Sequence, residues 1–152
     1  MPTVTEGQPA PDFTLPAADG SEVTLSSLQG KWVVVFFYPK DNTTGCTAEA
    51  CAFRDSHEDF TDAGAVVIGI SSDSVDSHQR FAAKHNLPFT LLSDSGGKVR
   101  SAWGVGRTLG VLPGRVTYVI DPEGVVRKVF SSQFRATAHQ TEALAAITAT
   151  AA

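Results

Sequence analysis

Cysteine is scarce in this 152-residue chain, which has only Cys46 and Cys51. A chain of this length with 42% hydrophobic residues can bury a core without metal or disulfide staples, and it is expected to form a single domain over 1–152. A metal site needs three or four ligands, yet the nearest histidine, His57, lies six residues beyond Cys51, so no metal is expected. Basic residues never gather into a run. With a net charge of −4 and a pI near 5.5, the chain lacks the basic patch of a nucleic-acid binder, and no nucleic-acid partner is expected. No apolar stretch approaches the ~20 residues that cross a bilayer, and the N-terminus lacks a charged segment followed by an apolar one. These absences lead to the expectation of a cytoplasmic protein without a membrane partner.

What is present reads as alternating strands and helices. Residues 1–11 hold three of the eight prolines and no periodicity, as an extended arm would. Asp19-Gly20 is a turn signal between Phe13-Thr14-Leu15 and Val23-Thr24-Leu25, which gives an N-terminal hairpin. The apolar run from Trp32 to Phe37 reads as a buried strand closed by Pro39. A helix is expected from about 46 to 63, ended by Gly64, before a second buried strand from Ala65 to Ser71. That strand, helix, strand order implies parallel pairing through a right-handed crossover. Ser74 to His85 is amphipathic, with Val75, Phe81, Ala82 and His85 available to a core. Leu91-Leu92 belongs to a short strand, and Ser95 to Trp103 suggests a short helix. Val116 to Ile120 and Val125 to Phe130 form a hairpin around Asp121-Pro122-Glu123-Gly124, and Thr137 to Thr150 closes the chain as a helix. The class is α/β, with a mixed central sheet and helices on both faces.

Both cysteines fall just after the first buried strand. Cys46, Ala50, Phe53, His57 and Phe60 recur at helical spacing, so Cys46 is a first-turn residue. Unpaired backbone N–H groups and the positive end of the helix dipole favour thiolate there, which is the nucleophilic form. Cys51, a turn and a half further on, can condense with an oxidised Cys46. Free cysteines are also often inert buried thiols. A static disulfide at i, i+5 on a helix has poor bridging geometry.

Pro39-x-x-x-Thr43-x-x-Cys46, continued by Thr47-x-Glu49-x-Cys51-x-Phe53-Arg54-Asp55, resembles the active-site signature of the peroxiredoxins, in their bacterioferritin comigratory protein (PrxQ) subfamily. Arg115-Val116-Thr117-Tyr118-Val119-Ile120-Asp121 is similar to the family's strand with a catalytic arginine. Two departures are Thr44, where many members have proline, and a short link between Trp103 and Arg115. The resemblance implies a thioredoxin-like fold with an N-terminal β-hairpin extension and a thiol peroxidase. In it Cys46 attacks hydrogen peroxide or an organic hydroperoxide, and Cys51 resolves the sulfenic acid as an intramolecular disulfide. Arg115 would hold the charge, Thr43 would exchange hydrogen bonds with the peroxide, and Pro39 would wall off water. It further implies no cofactor, thioredoxin or a similar dithiol as reductant, and a monomer.

A thioredoxin-type disulfide reductase is the competing reading for this fold, but its Cys-x-x-Cys is replaced here by Cys-x-x-x-x-Cys. A thiol redox sensor would use the same sulfenic acid as a signal. Glu49 is left outside the catalytic set, as an acid placed by the helix dipole. Arg54 is expected to pair with Glu58 at i, i+4, and the four histidines to be structural or solvated.

Overall fold

The computed structural model describes residues 4–105, 107–108, 112–113, 115–131 and 137–151. The N-terminal hairpin forms as expected. β1 (Thr14–Pro16) pairs antiparallel with β2 (Glu22–Thr24), and the Asp19 carboxylate accepts from the Ser21 N–H inside the turn. A 3-10 turn, Leu25–Leu28, leads into β3 (Trp32–Phe37). Both faces of β3 are covered, which is why its sequence is apolar without alternation. Val33, Val35 and Phe37 enter one core, while Val34, Phe36 and Tyr38 enter the other.

Where one helix is expected, there are two: α1 (Thr44–Asp55) and α2 (His57–Asp62), broken at Ser56. Serine competes with the helical backbone for hydrogen bonds. Here Ser56 takes φ −101°, ψ 9°, with its N–H shared between the Ala52 and Arg54 carbonyls. The break spoils the i, i+4 geometry expected of Arg54 and Glu58. Arg54 turns instead to Asp55 at 3.0 Å and to the His85 carbonyl at 2.9 Å.

Next come β4 (Ala65–Ser71), α3 (Val75–His85) and β5 (Thr90–Ser93). The Ser74 hydroxyl caps α3, and Asn86 ends it in the left-handed region. The core face of α3 differs from expectation. His78, one turn from both Val75 and Phe81, is fully buried, while His85 is half-buried with its ring edge on Phe81.

α4 (Lys98–Trp103) starts three residues later than Ser95. Gly96 and Gly97 have positive φ, and the Asp94 carboxylate accepts from the N–H groups of Val99 and Arg100, which fixes the first turn there. The short link beyond Trp103 is described at residues 104, 105, 107, 108, 112 and 113, and its other residues lie outside the description. After Gly104 and Val105 it forms two paired two-residue strands, β6 (Arg107–Thr108) and β7 (Leu112–Pro113). β8 (Val116–Ile120), β9 (Val126–Ser131) and α5 (Ala138–Ala151) complete the chain.

The main sheet has the order β5-β4-β3-β8-β9. β3, β4 and β5 run parallel, while β8 is antiparallel to both β3 and β9. Helices α1, α2, α3 and α5 send Phe53, Phe60, Phe81 and Ile147 into one core. The hairpin, the 3-10 turn and Trp103 of α4 cover the opposite face. None of the described helices is long and apolar enough to cross a membrane.

Candidate active site

Because β8 runs antiparallel to β3, the last residue of β3 pairs with the first of β8, Phe37 with Val116. Residues just after β3 and just before β8 therefore meet at one end of the sheet. Cys46, in the first turn of α1, is 1% exposed, and the buried Arg115 donates from Nη2 to its sulfur at 3.4 Å. Gly45 makes this approach possible, since a Cβ at that position would stand 3.0 Å from Arg115 Nη2.

The other arm of the guanidinium donates from Nη1 to Glu49 Oε1 at 2.6 Å. Glu49 lies one turn beyond Cys46 on the same helix face and is fully buried. Its second oxygen, Oε2, has no hydrogen-bond partner and lies 3.6 Å from His139 Nδ1 of α5. That nitrogen is 2.7 Å from the Thr117 hydroxyl of β8, and the His139 ring stands edge-on to Phe130 of β9. Burial pushes the Glu49 carboxyl up to about 8 against the opposing pull of Arg115. Burial draws Arg115 down, but the charges of Glu49 and Cys46 outweigh it and leave the guanidinium above its ordinary value.

Thr43 is the N-cap residue of α1, yet its hydroxyl does not cap. It donates to the Lys40 carbonyl at 2.9 Å, which leaves only its lone pairs for an incoming group. Pro39 sits half-buried at the bend after Tyr38. Cys51 is half-buried on the same helix as Cys46, turned about 140° away around its axis.

The loop carrying Pro39 and Thr43 is fastened from beneath. Asp41 is buried, accepting from the Tyr38 hydroxyl at 2.6 Å and the Ser77 hydroxyl at 2.8 Å, with His78 Nδ1 at 2.7 Å. His78 Nε2 faces the Leu92 carbonyl at 2.9 Å, so both ring nitrogens lie against oxygens. Burial pushes the Asp41 carboxyl up, but the hydrogen bonds from His78 and Tyr38 prevail and hold it below the usual carboxylate value. The Asp41 N–H donates to Asp73 and Arg100 donates to the Tyr38 carbonyl.

Cys46 and Arg115 are thus in contact, with Thr43 and Pro39 in the adjoining loop and Cys51 apart. Sequence reasoning missed Glu49, His139 and His78. The i, i+3 spacing from Cys46 could have put Glu49 on the sulfur's face. No local spacing points from α1 to His139.

Residues 6–129 match the AhpC/TSA family. A curated relative, the chloroplastic peroxiredoxin Q of Sedum lineare, is 57% identical over 142 residues, covering 93% of this chain and 76% of that protein. A cysteine mutant of PrxQ from Xylella fastidiosa has a TM-score of 0.92 at 30% identity, covering 100% of both chains. The bacterioferritin comigratory protein of Xanthomonas campestris, solved in connection with its alkyl peroxide reduction activity, has a TM-score of 0.86 at 36% identity over 92% of each chain. These names correct the cytoplasmic expectation. Curated relatives matched over 93% of this chain are named chloroplastic, so the expectation of a cytoplasmic protein is withdrawn.

Proposed function

This chain belongs to the AhpC/TSA family and is a thiol peroxidase with the thioredoxin-like peroxiredoxin fold, and we propose that Cys46 is its attacking sulfur. The observation that carries this assignment is the buried contact between Cys46 Sγ and Arg115 Nη2 at 3.4 Å. As thiolate, Cys46 attacks one peroxide oxygen in line, and the far oxygen leaves with the O–O electron pair as hydroxide or alkoxide. Negative charge moves along that axis, and a permanently charged fork of donors can follow it from sulfur to oxygen. The Thr43 lone pairs accept a hydrogen bond from the peroxide O–H, and Pro39 shields the site from water.

Cys51 then attacks the sulfenic sulfur and expels water, giving the disulfide. Both thiols lie on α1, so one copy of the chain suffices and the protein acts as a monomer. A dithiol protein of the thioredoxin type reduces the bond. Hydrogen peroxide and organic hydroperoxides are the substrates, the latter supported by the alkyl peroxide reduction of the Xanthomonas relative.

The test is mass spectrometry after one equivalent of peroxide. Cys46→Ser is expected to abolish peroxide reduction, and Cys51→Ser to consume one equivalent and stall as a sulfenic acid on residue 46. First oxidation at Cys51 in the wild type would reverse the assignment.

A further inference from the structure

Arg115 is the one cation that the described contacts give to two buried acids, Cys46 and Glu49, and solvent reaches neither of them. With both ionised, Arg115 would face two negative charges in a place that water does not screen, and His139, 3.6 Å from Glu49 Oε2, stands too far to donate a hydrogen bond to it. A second negative charge beside the same guanidinium is costly there, because like charges repel at close range and burial disfavours each of them. The carboxyl group favours the neutral form. Oε1 accepts from Arg115 whether or not Glu49 is charged, so a proton would sit on Oε2, the oxygen without a donor. A buried carboxylate oxygen lacking a donor is far more costly than a neutral hydroxyl there.

We propose that Cys46 and Glu49 share one proton across Arg115: Glu49 holds it while Cys46 is a thiolate and releases it when the sulfur is oxidised. The inference rests on Cys46 being the attacking sulfur. In the step, the sulfur lone pair forms the S–O bond, the O–O bond breaks, and RO⁻ leaves. The sulfenic acid is neutral, so Arg115 loses one anionic partner and Glu49 can ionise against it. Its proton balances the one taken up by RO⁻, giving ROH and a paired carboxylate, with no net proton drawn from solvent. Direct transfer is not required, because passage through water gives the same count. The upward displacement of Glu49 by burial agrees with this.

Among the described residues, the groups that face the carboxyl are Arg115, just before β8, and His139 on α5, whose ring meets the Thr117 hydroxyl of β8 and Phe130 of β9. Glu49 acts on the reaction through Arg115 and is in that sense a positioning residue. A purely structural role would fix the guanidinium without moving protons.

The experiment uses the full chain with Cys51→Ser, weakly buffered at neutral pH with an indicator dye and one equivalent of hydrogen peroxide. Sulfenic acid is counted in parallel by diketone trapping and mass spectrometry. Adding Glu49→Gln is expected to raise proton uptake by about one per sulfenic acid formed. Equal uptake in the two proteins would overturn the shared proton and leave Cys46 as the nucleophile. Absence of the adduct on Cys46 in the parent would overturn both readings. If Glu49→Gln fails to fold or to oxidise, the parent's infrared difference spectrum decides: a protonated carboxyl band must give way to a carboxylate band on oxidation, and its failure to do so rejects the proposal.

Discussion

Gly45 is needed for its missing Cβ, whose space lies against the Arg115 guanidinium. Alanine there would improve helix propensity by as much as about 1 kcal/mol while pushing Nη2 off the sulfur. Gly45→Ala is therefore expected to hold or raise thermal stability while slowing peroxide attack, which a melt and a stopped-flow trace measure together. Arg115→Ala removes the donor outright and should slow attack ~100-fold or more, by comparison with loss of an oxyanion donor. An unchanged rate would take Arg115 out of the chemistry. Glu49 adds a dependence on pH. Its carboxyl sits at about 8 in the folded helix against 4.5 for the free group, so the stability it allows is complete below about 4.5. Between those values the unwound form ionises first, and stability falls as pH rises. The melting midpoint of the reduced protein should drop across that range, and Glu49→Gln should flatten the slope.

At the level of elements, α1 must open during the cycle. Cys46 and Cys51 diverge by about 140° around the axis and rise about 7.5 Å apart, whereas a disulfide needs Cβ atoms about 3.5–4.5 Å apart. The opening should stop at Phe53, which is fully buried and stacked on Phe36 at 4.5 Å. Hydrogen exchange is expected to show lost protection over 46–52 in the disulfide form and retained protection beyond 53. Equal protection in both forms would refute the opening. His78→Asn removes the imidazole that meets the buried Asp41 carboxylate at 2.7 Å beneath the 38–43 loop and should cost roughly 1–3 kcal/mol, read from a urea midpoint. The strands were legible in the sequence because apolar runs such as Trp32–Phe37 and Ala65–Ser71 have sharp ends. The break at Ser56 was not, since one serine seldom ends a periodic pattern and the apolar spacing continues to Phe60. Glu49 and His139 were hidden for a different reason: a buried acid looks like a surface acid until the residue it faces is known.

At the scale of the molecule, the two halves of the site come from distant parts of the chain. Cys46 and Arg115 stand 69 residues apart in sequence and meet through the pairing of β3 with β8. Contacts of such long range form late in folding, because the intervening loop must close before they return any energy. Synthesis runs from the N-terminus, so the thiol leaves the ribosome well ahead of its guanidinium, and further still ahead of α5. A nascent chain thus carries both thiols before Arg115 has been made. The peroxidase is switched on by the completion of its own sheet, and while the chain is still incomplete its cysteines react only as ordinary thiols do.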